Sequence, residues 1–505
     1  MVWLVVCPLL FSACQVENDE KPPNIIYILA DDLGYGELGC YGQEKIETPN
    51  IDQLAARGML FAQHYSSSPV CAPARCMLLT GRHAGNAYIR SNDGMPERGD
   101  THDFAKVFEN PDLEGQRPLP SNTVTLAHLL KEAGYRTGMV GKWGLGPPTS
   151  ESIPTKMGFD FYYGYICQGQ AHTYFPLHLW KNDQKVVLNN DLVAPRTRLE
   201  EGADPYDLQS YAKFWLEDYS PELMQKEMLQ FIETNRDHPF FMYYASPIPH
   251  APLQAPARWV DYYVEKFGDE DPYLGDQGYF PQRYPRAAYA AMVSYFDGQV
   301  GELVATLQKL GLYENTLIIF SSDNGPTYNG GTNSPWFDSG GPFLSDLGWG
   351  KGYLTEGGIR VPMIAHWPGK IKPGTVTDHI SAQYDVLATL CDLVGVEDLP
   401  DHDGVSFLPT LMGQGSLQDI HKFLYWEFPA YGGQQAVRMG KWKAIRKEIF
   451  KGNMNIELYD LDEDLQETMD IADRHPDIIE KMEEIFSREH QPAAVEKFRF
   501  AQLGD

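Results

Sequence analysis

The chain has few cysteines and few basic residues for its length. Only seven of its 505 residues are cysteines, and their spacing matches neither a disulfide framework nor the Cys-x-x-Cys pairs of a zinc ribbon. Lys and Arg number 41 against 69 Asp and Glu, which gives a net charge of −28. Because nucleic acids are bound by clustered basic residues, this balance argues against DNA or RNA as a partner. It does not exclude a small anionic ligand, which needs only a local cationic pocket.

The chain also lacks an apolar run long enough to predict a membrane span, and it has no internal repeats. Residues 1–14 are mostly apolar and end in Ser-Ala-Cys, which predicts an export signal and resembles a bacterial lipobox, although Phe11 and the absence of a preceding basic residue depart from that pattern. We expect an exported bacterial protein, either periplasmic or anchored to the outer membrane by a lipid on Cys14, with 15–21 as a tether. The alternative is a soluble N-terminal tail.

Apolar strands alternate with amphipathic helices over the first 400 residues, which predicts an α/β domain with a largely parallel sheet covered on both faces. The predicted strands are 23–30, 135–140, 239–246 and 316–320, and the predicted helices are 121–134 and 287–310. Four shorter strands (422–428, 435–438, 442–446 and 457–460) and a charged helix (477–490) follow. We therefore expect an export signal and tether at 1–21, a main domain at 22–400 and a smaller α+β domain at 401–505. The Pro- and Gly-rich segments 94–120 and 262–286 are expected to be long loops.

Polar side chains follow each of the four long strands. Asp31 and Asp32 follow the first, Lys142 the second, His250 the third, and the pair Asp323 and Asn324 the fourth. Ligands of α/β sheets bind beyond the carboxyl ends of the strands, so these side chains are expected to converge. The oxygen donors Asp31, Asp32, Asp323 and Asn324 favour Ca²⁺ or Mg²⁺. Taken alone, the first pair of aspartates fits a helix N-cap equally well, and the second pair disfavours that alternative.

Residues 71–75 read Cys-Ala-Pro-Ala-Arg and are followed by Leu-Thr-Gly-Arg at 79–82. The proline favours a helix start, and Arg75 lies one helical turn after Cys71. This spacing suits a site that holds an anion against a nucleophile.

Together these motifs resemble the type I sulfatases of the alkaline phosphatase superfamily, and in particular bacterial carbohydrate sulfatases. The resemblance runs from about residue 24 to the C-terminus and includes Lys351 in Gly-Lys-Gly-Tyr. It implies a large mixed, mostly parallel sheet between helices, and a C-terminal domain with an antiparallel sheet. It also implies that a formylglycine-generating enzyme converts Cys71 to formylglycine (3-oxoalanine), which joins the four oxygen donors at the metal. The alternative is an unmodified, reactive cysteine.

The resemblance assigns roles to the remaining residues. In hydrated formylglycine one hydroxyl attacks sulfur, and the second allows the group to return to the aldehyde. Arg75 would hold the modified side chain, Lys142 and Lys351 would bind sulfate oxygens, and His250 would protonate the leaving alcohol.

One position departs from the family pattern. The family usually has Gly-Lys-Trp-His-Leu-Gly, whereas this chain has Gly144 in place of the histidine. We expect His172 in the next loop to replace it. The alternative is a loop histidine that contacts backbone or substrate.

The substrate is less defined by sequence. Candidate contacts are Arg90, Asn92, His102 and His178. We expect hydrolysis of a sulfate monoester on a glycan, with galactose or N-acetylgalactosamine sulfate as the first choice. The alternatives are a phosphonate or phosphodiester hydrolase of the same superfamily and a non-catalytic lipoprotein that binds sulfated glycans.

Overall fold

The computed structural model describes residues 21–505. The predicted export signal, most of the tether and the lipid attachment site at Cys14 lie outside the described residues. Within 21–505, none of the helices has the length and apolar character needed to cross a membrane.

The described part of the chain forms one large sheet, two smaller sheets and surrounding helices. Its strands are β1 (Asn24–Ala30), β2 (Met59–Phe61), β3 (His64–Tyr65), β4 (Arg136–Lys142), β5 (Phe161–Tyr165), β6 (His178–Lys181), β7 (Gln184–Val187), β8 (Phe240–Ala245), β9 (Thr316–Ser322), β10 (Met363–His366), β11 (Thr375–Thr377), β12 (Ser381–Ala382), β13 (Leu424–Phe428), β14 (Gln434–Met439), β15 (Trp442–Arg446) and β16 (Glu457–Asp460). Its α-helices are α1 (Pro49–Ala56), α2 (Cys71–Thr80), α3 (Phe104–Glu109), α4 (Leu126–Glu132), α5 (Ser220–Thr234), α6 (Ala257–Phe267), α7 (Pro285–Lys309), α8 (Ser334–Phe337), α9 (Glu356–Ile359), α10 (Asp385–Val394), α11 (Leu408–Leu411) and α12 (Pro476–Glu489).

The large sheet has ten strands in the order β11-β2-β10-β9-β1-β8-β4-β5-β6-β7. Its central strands, from β9 through β5, all run parallel, and antiparallel pairs lie toward both edges. Strand β1 lies in the middle, with Ile28 between Phe320 of β9 and Tyr244 of β8. All seven residues of β1 are buried, as expected for a strand covered on both faces. The predicted mixed, mostly parallel sheet is confirmed.

The C-terminal region forms the predicted antiparallel sheet, in the order β13-β14-β15-β16. Helix α12 covers one face, where Ile485 and Phe486 pack with Tyr425 and Val437. The opposite face joins a second apolar cluster, in which Trp426 packs with residues of the main domain. The two parts are therefore in extensive contact, and the boundary at residue 400 stays a prediction.

Both segments that we expected to be long loops contain helices. Helix α6 begins before residue 262 and continues into the expected loop as far as Phe267. The buried side chains of Val260 and Tyr263 anchor one side of this helix. Helix α3 interrupts the other segment, with Asp103 accepting a hydrogen bond from the Lys106 amide at its start. The Pro and Gly content of the neighbouring residues obscured both short helices.

Helix α1 receives its N-terminal cap from α7. Asp297 accepts hydrogen bonds from the amides of Asn50 (3.0 Å) and Ile51 (2.8 Å), and its other oxygen lies 2.6 Å from Asn50 Nδ2. Asp297 is 2% exposed. The cap therefore fixes the start of α1 against α7.

Replacing Asp297 by Ala should lower the free energy of unfolding by about 1–3 kcal/mol, because two helix N-terminal amides lose a buried acceptor. Urea denaturation measures this change. The exposed Gln308 of the same helix provides the control, and Gln308→Ala should change stability by less than about 0.5 kcal/mol. Equal effects of the two substitutions would contradict the assignment.

Candidate active site

Helix α2 places Cys71 at its first turn in the protein interior. All ten residues of the helix are buried, and Gly81 (φ 68°) ends it. Asn92 Oδ1 accepts a hydrogen bond of 3.1 Å from the Ala72 amide and so satisfies one of the free donors of the first turn. The positive end of the helix dipole therefore lies at Cys71.

Three carboxylates meet at the carboxyl ends of two neighbouring strands. Asp31 and Asp32 follow β1, and Asp323 follows β9, whose last residue, Ser322, pairs with Ala30. The Asp32 amide donates to Asp323 Oδ1 (3.2 Å), and Asp32 itself has a left-handed backbone with φ 68°. All three side chains are buried, with exposures of 0–1%. The structure therefore brings together the strand-end aspartates as the sequence predicts.

A cation accompanies each of these carboxylates. Arg75 donates to Asp323 Oδ2 through Nη2 (2.8 Å) and Nε (3.1 Å), and its Nη1 donates to the Lys142 carbonyl (2.5 Å). Lys142 Nζ lies 2.5 Å from Asp31 Oδ2. Lys351 Nζ lies 2.6 Å from Asp32 Oδ1. These pairings hold the cations beside the site and offset the buried negative charge.

The carboxylates differ in proton affinity because their surroundings differ. Burial favours protonation of Asp31, but Lys142, with His250, Arg75 and Lys351, holds the pKa of Asp31 below its ordinary value. Burial raises the pKa of Asp323 to about 6, with a further contribution from Asp31 that Arg75 opposes.

The Cys71 side chain lies against the aspartates. Its Sγ is 3.2 Å from Asp31 Oδ1 and 4.0 Å from Asp32 Oδ1. Burial, followed by the charges of Asp31 and Asp323, raises the pKa of the thiol well above its ordinary value. These surroundings disfavour the thiolate, which is the nucleophilic form of an unmodified Cys71.

His250 lies at the same cluster with a defined tautomer. Its Nδ1 is 2.6 Å from the Ala251 carbonyl, which can only accept, so Nδ1 carries a proton and Nε2 is the nitrogen that gains or loses one. Nε2 lies 3.7 Å from Asp32 Oδ2. Ligand atoms of Asp31, Asp32, Cys71 and His250 all lie within 4.8 Å of one another. The structure therefore brings His250 together with the strand-end aspartates, as its position after β8 predicts.

Asn324 shows that the site suits a metal ion. Its Nδ2 donates to Asp32 Oδ1 (2.8 Å) and the Gly325 carbonyl (2.8 Å). Its Oδ1 is buried without a hydrogen-bond partner. An orphaned amide oxygen among three buried carboxylates is a donor set that fits a hard divalent cation.

The His172 ring packs against the ring of His250. The two rings are stacked with centroids 5.5 Å apart, and the His172 ring is 5.0 Å from that of Tyr279. The space next to Gly144 is filled by a different side chain: a Cβ at this position would lie 2.8 Å from Gln168 Nε2. That Nε2 is buried without a partner. Gln168 was not predicted as a site residue, because its contact with Gly144, which has a φ of 76°, depends on the folded structure.

The four predicted substrate contacts occupy different places. Arg90 is buried, forms an ion pair with Glu427 and donates to the Gln491 carbonyl (2.7 Å). His178 is also buried, with Nε2 3.0 Å from Glu114 Oε2. The structure therefore does not bring Arg90 and His178 to the cluster, because internal partners engage both. Asn92 supports α2 as described above. The last of the four, His102, does lie near the site, with its ring 5.0 Å from that of His172.

Comparisons with known proteins agree with the motifs. The family model described as "Sulfatase" matches residues 23–396, and "N-sulphoglucosamine sulphohydrolase, C-terminal" matches residues 346–491. The chain belongs to the sulfatase family. It is 34% identical to human arylsulfatase A over 84% of this chain and 75% of the relative, and 32% identical to N-acetylgalactosamine-6-sulfatase of Canis lupus familiaris over 88% and 75%. The solved structure of Ps i-CgsB in complex with k-i-k-neocarrahexaose is 29% identical, with a TM-score of 0.71, over 93% of this chain and 94% of that one. The predicted family and sulfuric ester hydrolase class are confirmed.

In this sulfatase the C-terminal sheet holds the loop that carries Lys351. Gln434 of β14 accepts from the Leu354 amide (3.1 Å) and donates to the Gly352 carbonyl (2.9 Å). At the start of helix α9, which follows this loop, Glu356 forms an ion pair of 2.8 Å with the buried Lys443 of β15. These contacts fix the backbone on the C-terminal side of Lys351 from outside the main domain.

Replacing Gln434 by Ala should lower sulfate release from an aryl sulfate about tenfold, because the loop loses two contacts that hold Lys351. The free energy of unfolding should fall by about 1–3 kcal/mol. Steady-state kinetics and urea denaturation measure the two effects. The exposed Gln466 is the matched control, and Gln466→Ala should leave both quantities close to those of the unsubstituted protein. An unchanged rate in Gln434→Ala would show that the two hydrogen bonds of Gln434 do not support Lys351.

Proposed function

We propose that this sulfatase hydrolyses a sulfate monoester on a saccharide, with sulfated galactose or N-acetylgalactosamine as the first choice. The observation that carries the proposal is the approach of Asp31, Asp32, Cys71 and His250 to within 4.8 Å of one another. The similarity to an N-acetylgalactosamine-6-sulfatase supports a sugar substrate, as does the neocarrahexaose bound to Ps i-CgsB.

Asp31, Asp32, Asp323 and Asn324 would hold Ca²⁺ or Mg²⁺. A divalent cation there supplies positive charge that offsets the carboxylates and polarises a sulfate oxygen. Asn324 would present its buried Oδ1, which lacks a protein partner. The Asp31 and Asp32 oxygens now paired with lysines would then serve as metal ligands.

Position 71 would carry formylglycine, made from Cys71 by a formylglycine-generating enzyme during maturation. Its hydrated form supplies a hydroxyl nucleophile. Asp31 is placed to accept a proton or hydrogen bond from this side chain, since its Oδ1 lies 3.2 Å from the present Sγ. Arg75 would keep Asp31 and Asp323 in place through the contacts that it makes to both.

Lys142, Lys351 and His250 would act on the substrate. The ammonium groups of Lys142 and Lys351 flank the cluster. They would bind the sulfate oxygens and stabilise the negative charge that develops on those oxygens. His250 would gain a proton at Nε2 beside the bound sulfate anion and deliver it to the leaving alcohol, because burial and then the charges of Lys351 and Lys142 hold the pKa of His250 well below its ordinary value without the anion. The Ala251 carbonyl keeps Nδ1 protonated.

Two side chains are candidates for the role of the histidine absent at Gly144. His172 is supported by its stacking on His250. Gln168 is supported by its unpartnered Nε2 beside Gly144, which is a donor suited to an anionic oxygen.

We also propose export through the N-terminal segment, to the periplasm or to the outer membrane through Cys14. A phosphonate or phosphodiester hydrolase would use many of the same residues. Relative turnover of sulfate, phosphate and phosphonate aryl esters separates that activity from the proposed one.

Cys71→Ala should abolish sulfate release, because position 71 loses its nucleophile while the surrounding ion pairs remain. In the unsubstituted protein, the peptide that contains residue 71 should have a lower mass than the same peptide with an unmodified cysteine, since the –CH₂SH side chain is converted to an aldehyde. Ion chromatography of sulfate and peptide mass spectrometry measure these outcomes. Sulfate release by Cys71→Ala, or an active protein with unmodified cysteine throughout, would contradict the proposal.

His172→Ala and Gln168→Ala test which side chain replaces the absent histidine. The substitution that removes the functional group should lower turnover about 100-fold or more, as expected for lost proton transfer or anion stabilisation. Turnover of an aryl sulfate is the measurement, with the exposed His238→Ala as the control. Near-normal rates in both variants would exclude both candidates.

A further inference from the structure

A cavity of about 190 Å³ lies beside the candidate active site. It is lined by His172, Pro195, Arg196, Gln277, Gly278 and Tyr279. The rings of His172 and Tyr279 have centroids 5.5 Å and 5.7 Å from that of His250, which is part of the catalytic cluster. The cavity is therefore separated from the reacting centre by a single layer of rings.

Arg196 is the charged group of this cavity. It is exposed, and its guanidinium has no ion pair or hydrogen bond to any other described residue. The guanidinium remains available for an anion from solution.

The backbone at Arg196 is held in an uncommon conformation. Its φ is 64°, in the left-handed region that residues with a Cβ adopt at a cost. Arg198 Nη1 donates to the carbonyls of Arg196 (3.1 Å) and Tyr279 (3.1 Å), which ties the two loops of the cavity together. The cavity wall is thus built by contacts between the two loops and retains a non-glycine residue where glycine would be less strained.

The size of the cavity limits what it can bind. Pockets for whole ligands usually measure about 300–1,000 Å³, so this one takes part of a larger molecule. The planar guanidinium matches the geometry of carboxylate and sulfate oxygens. His102, whose ring is 5.0 Å from that of His172, extends the polar rim.

We propose that this cavity is a subsite for a second anionic group, a sulfate or a carboxylate, on the sugar unit next to the one that loses its sulfate. The inference rests on the proposed function and narrows it to polyanionic saccharides. Arg196 pairs with the second anion, and the rings of His172 and Tyr279 contact the sugar.

The test measures binding to full-length Cys71→Ala protein, which does not turn over the ligand, by titration calorimetry. Three disaccharides are compared: one with a single sulfate, one with an added carboxylate on the neighbouring unit and one with an added sulfate there. Arg196→Gly in this background removes the cation and relieves the left-handed backbone. The exposed Arg474→Ala is the control for loss of one positive charge.

Arg196→Gly should weaken binding of at least one doubly anionic disaccharide at least about tenfold more than that of the singly sulfated one. The disaccharide whose affinity falls more, the one with the added carboxylate or the one with the added sulfate, identifies the anion that the subsite binds. Thermal stability should stay equal or rise. Equal losses for all three ligands, no loss for any, or no binding of any disaccharide would overturn the subsite. Failure of the unsubstituted protein to release sulfate from any saccharide would instead refute the proposed function.

Discussion

The mutual repulsion of three buried carboxylates is the constraint on which this structure depends. Asp31, Asp32 and Asp323 lie together at the carboxyl edge of the central strands, with exposures of 0–1%. Buried charges of one sign are strongly destabilising unless cations offset them. Here Lys142 and Lys351 provide part of that compensation, together with Arg75 of helix α2. The cations that offset the carboxylates therefore lie in the same buried cluster as Cys71.

The fold supplies this arrangement from several distant segments. Parallel pairing of β1 and β9 brings the first aspartates next to Asp323, although the two segments are almost 300 residues apart in sequence. The C-terminal sheet contributes from the other side, since Gln434 holds the loop of Lys351. A displacement of that sheet would therefore move the backbone that follows Lys351.

The sequence predicted the central strands and the strand-end groups because buried parallel strands are continuous apolar runs and their ends share one edge. The roles of the strand-end residues remain predictions, and so does the role of His172. The sequence placed long loops where α3 and α6 form, since short helices among Pro and Gly give weak patterns. It also missed Gln168, because a glutamine becomes notable only when its amide is buried without a partner. Arg90 looked like a substrate contact, but its pairing with the C-terminal region depends on tertiary structure.

We propose that Asp31, Asp32 and Asp323 form a cation site and that Lys142 and Lys351 compensate the carboxylate charge only until a cation binds. A crystal structure with bound Ca²⁺ tests this claim most directly. We expect the ion among Asp31, Asp32, Asp323 and Asn324, with the Asn324 amide oxygen turned toward it and Lys142 withdrawn from Asp31. A structure with Ca²⁺ bound elsewhere or absent, in which Lys142 and Asp31 stay paired as they are now at 2.5 Å, would contradict the account.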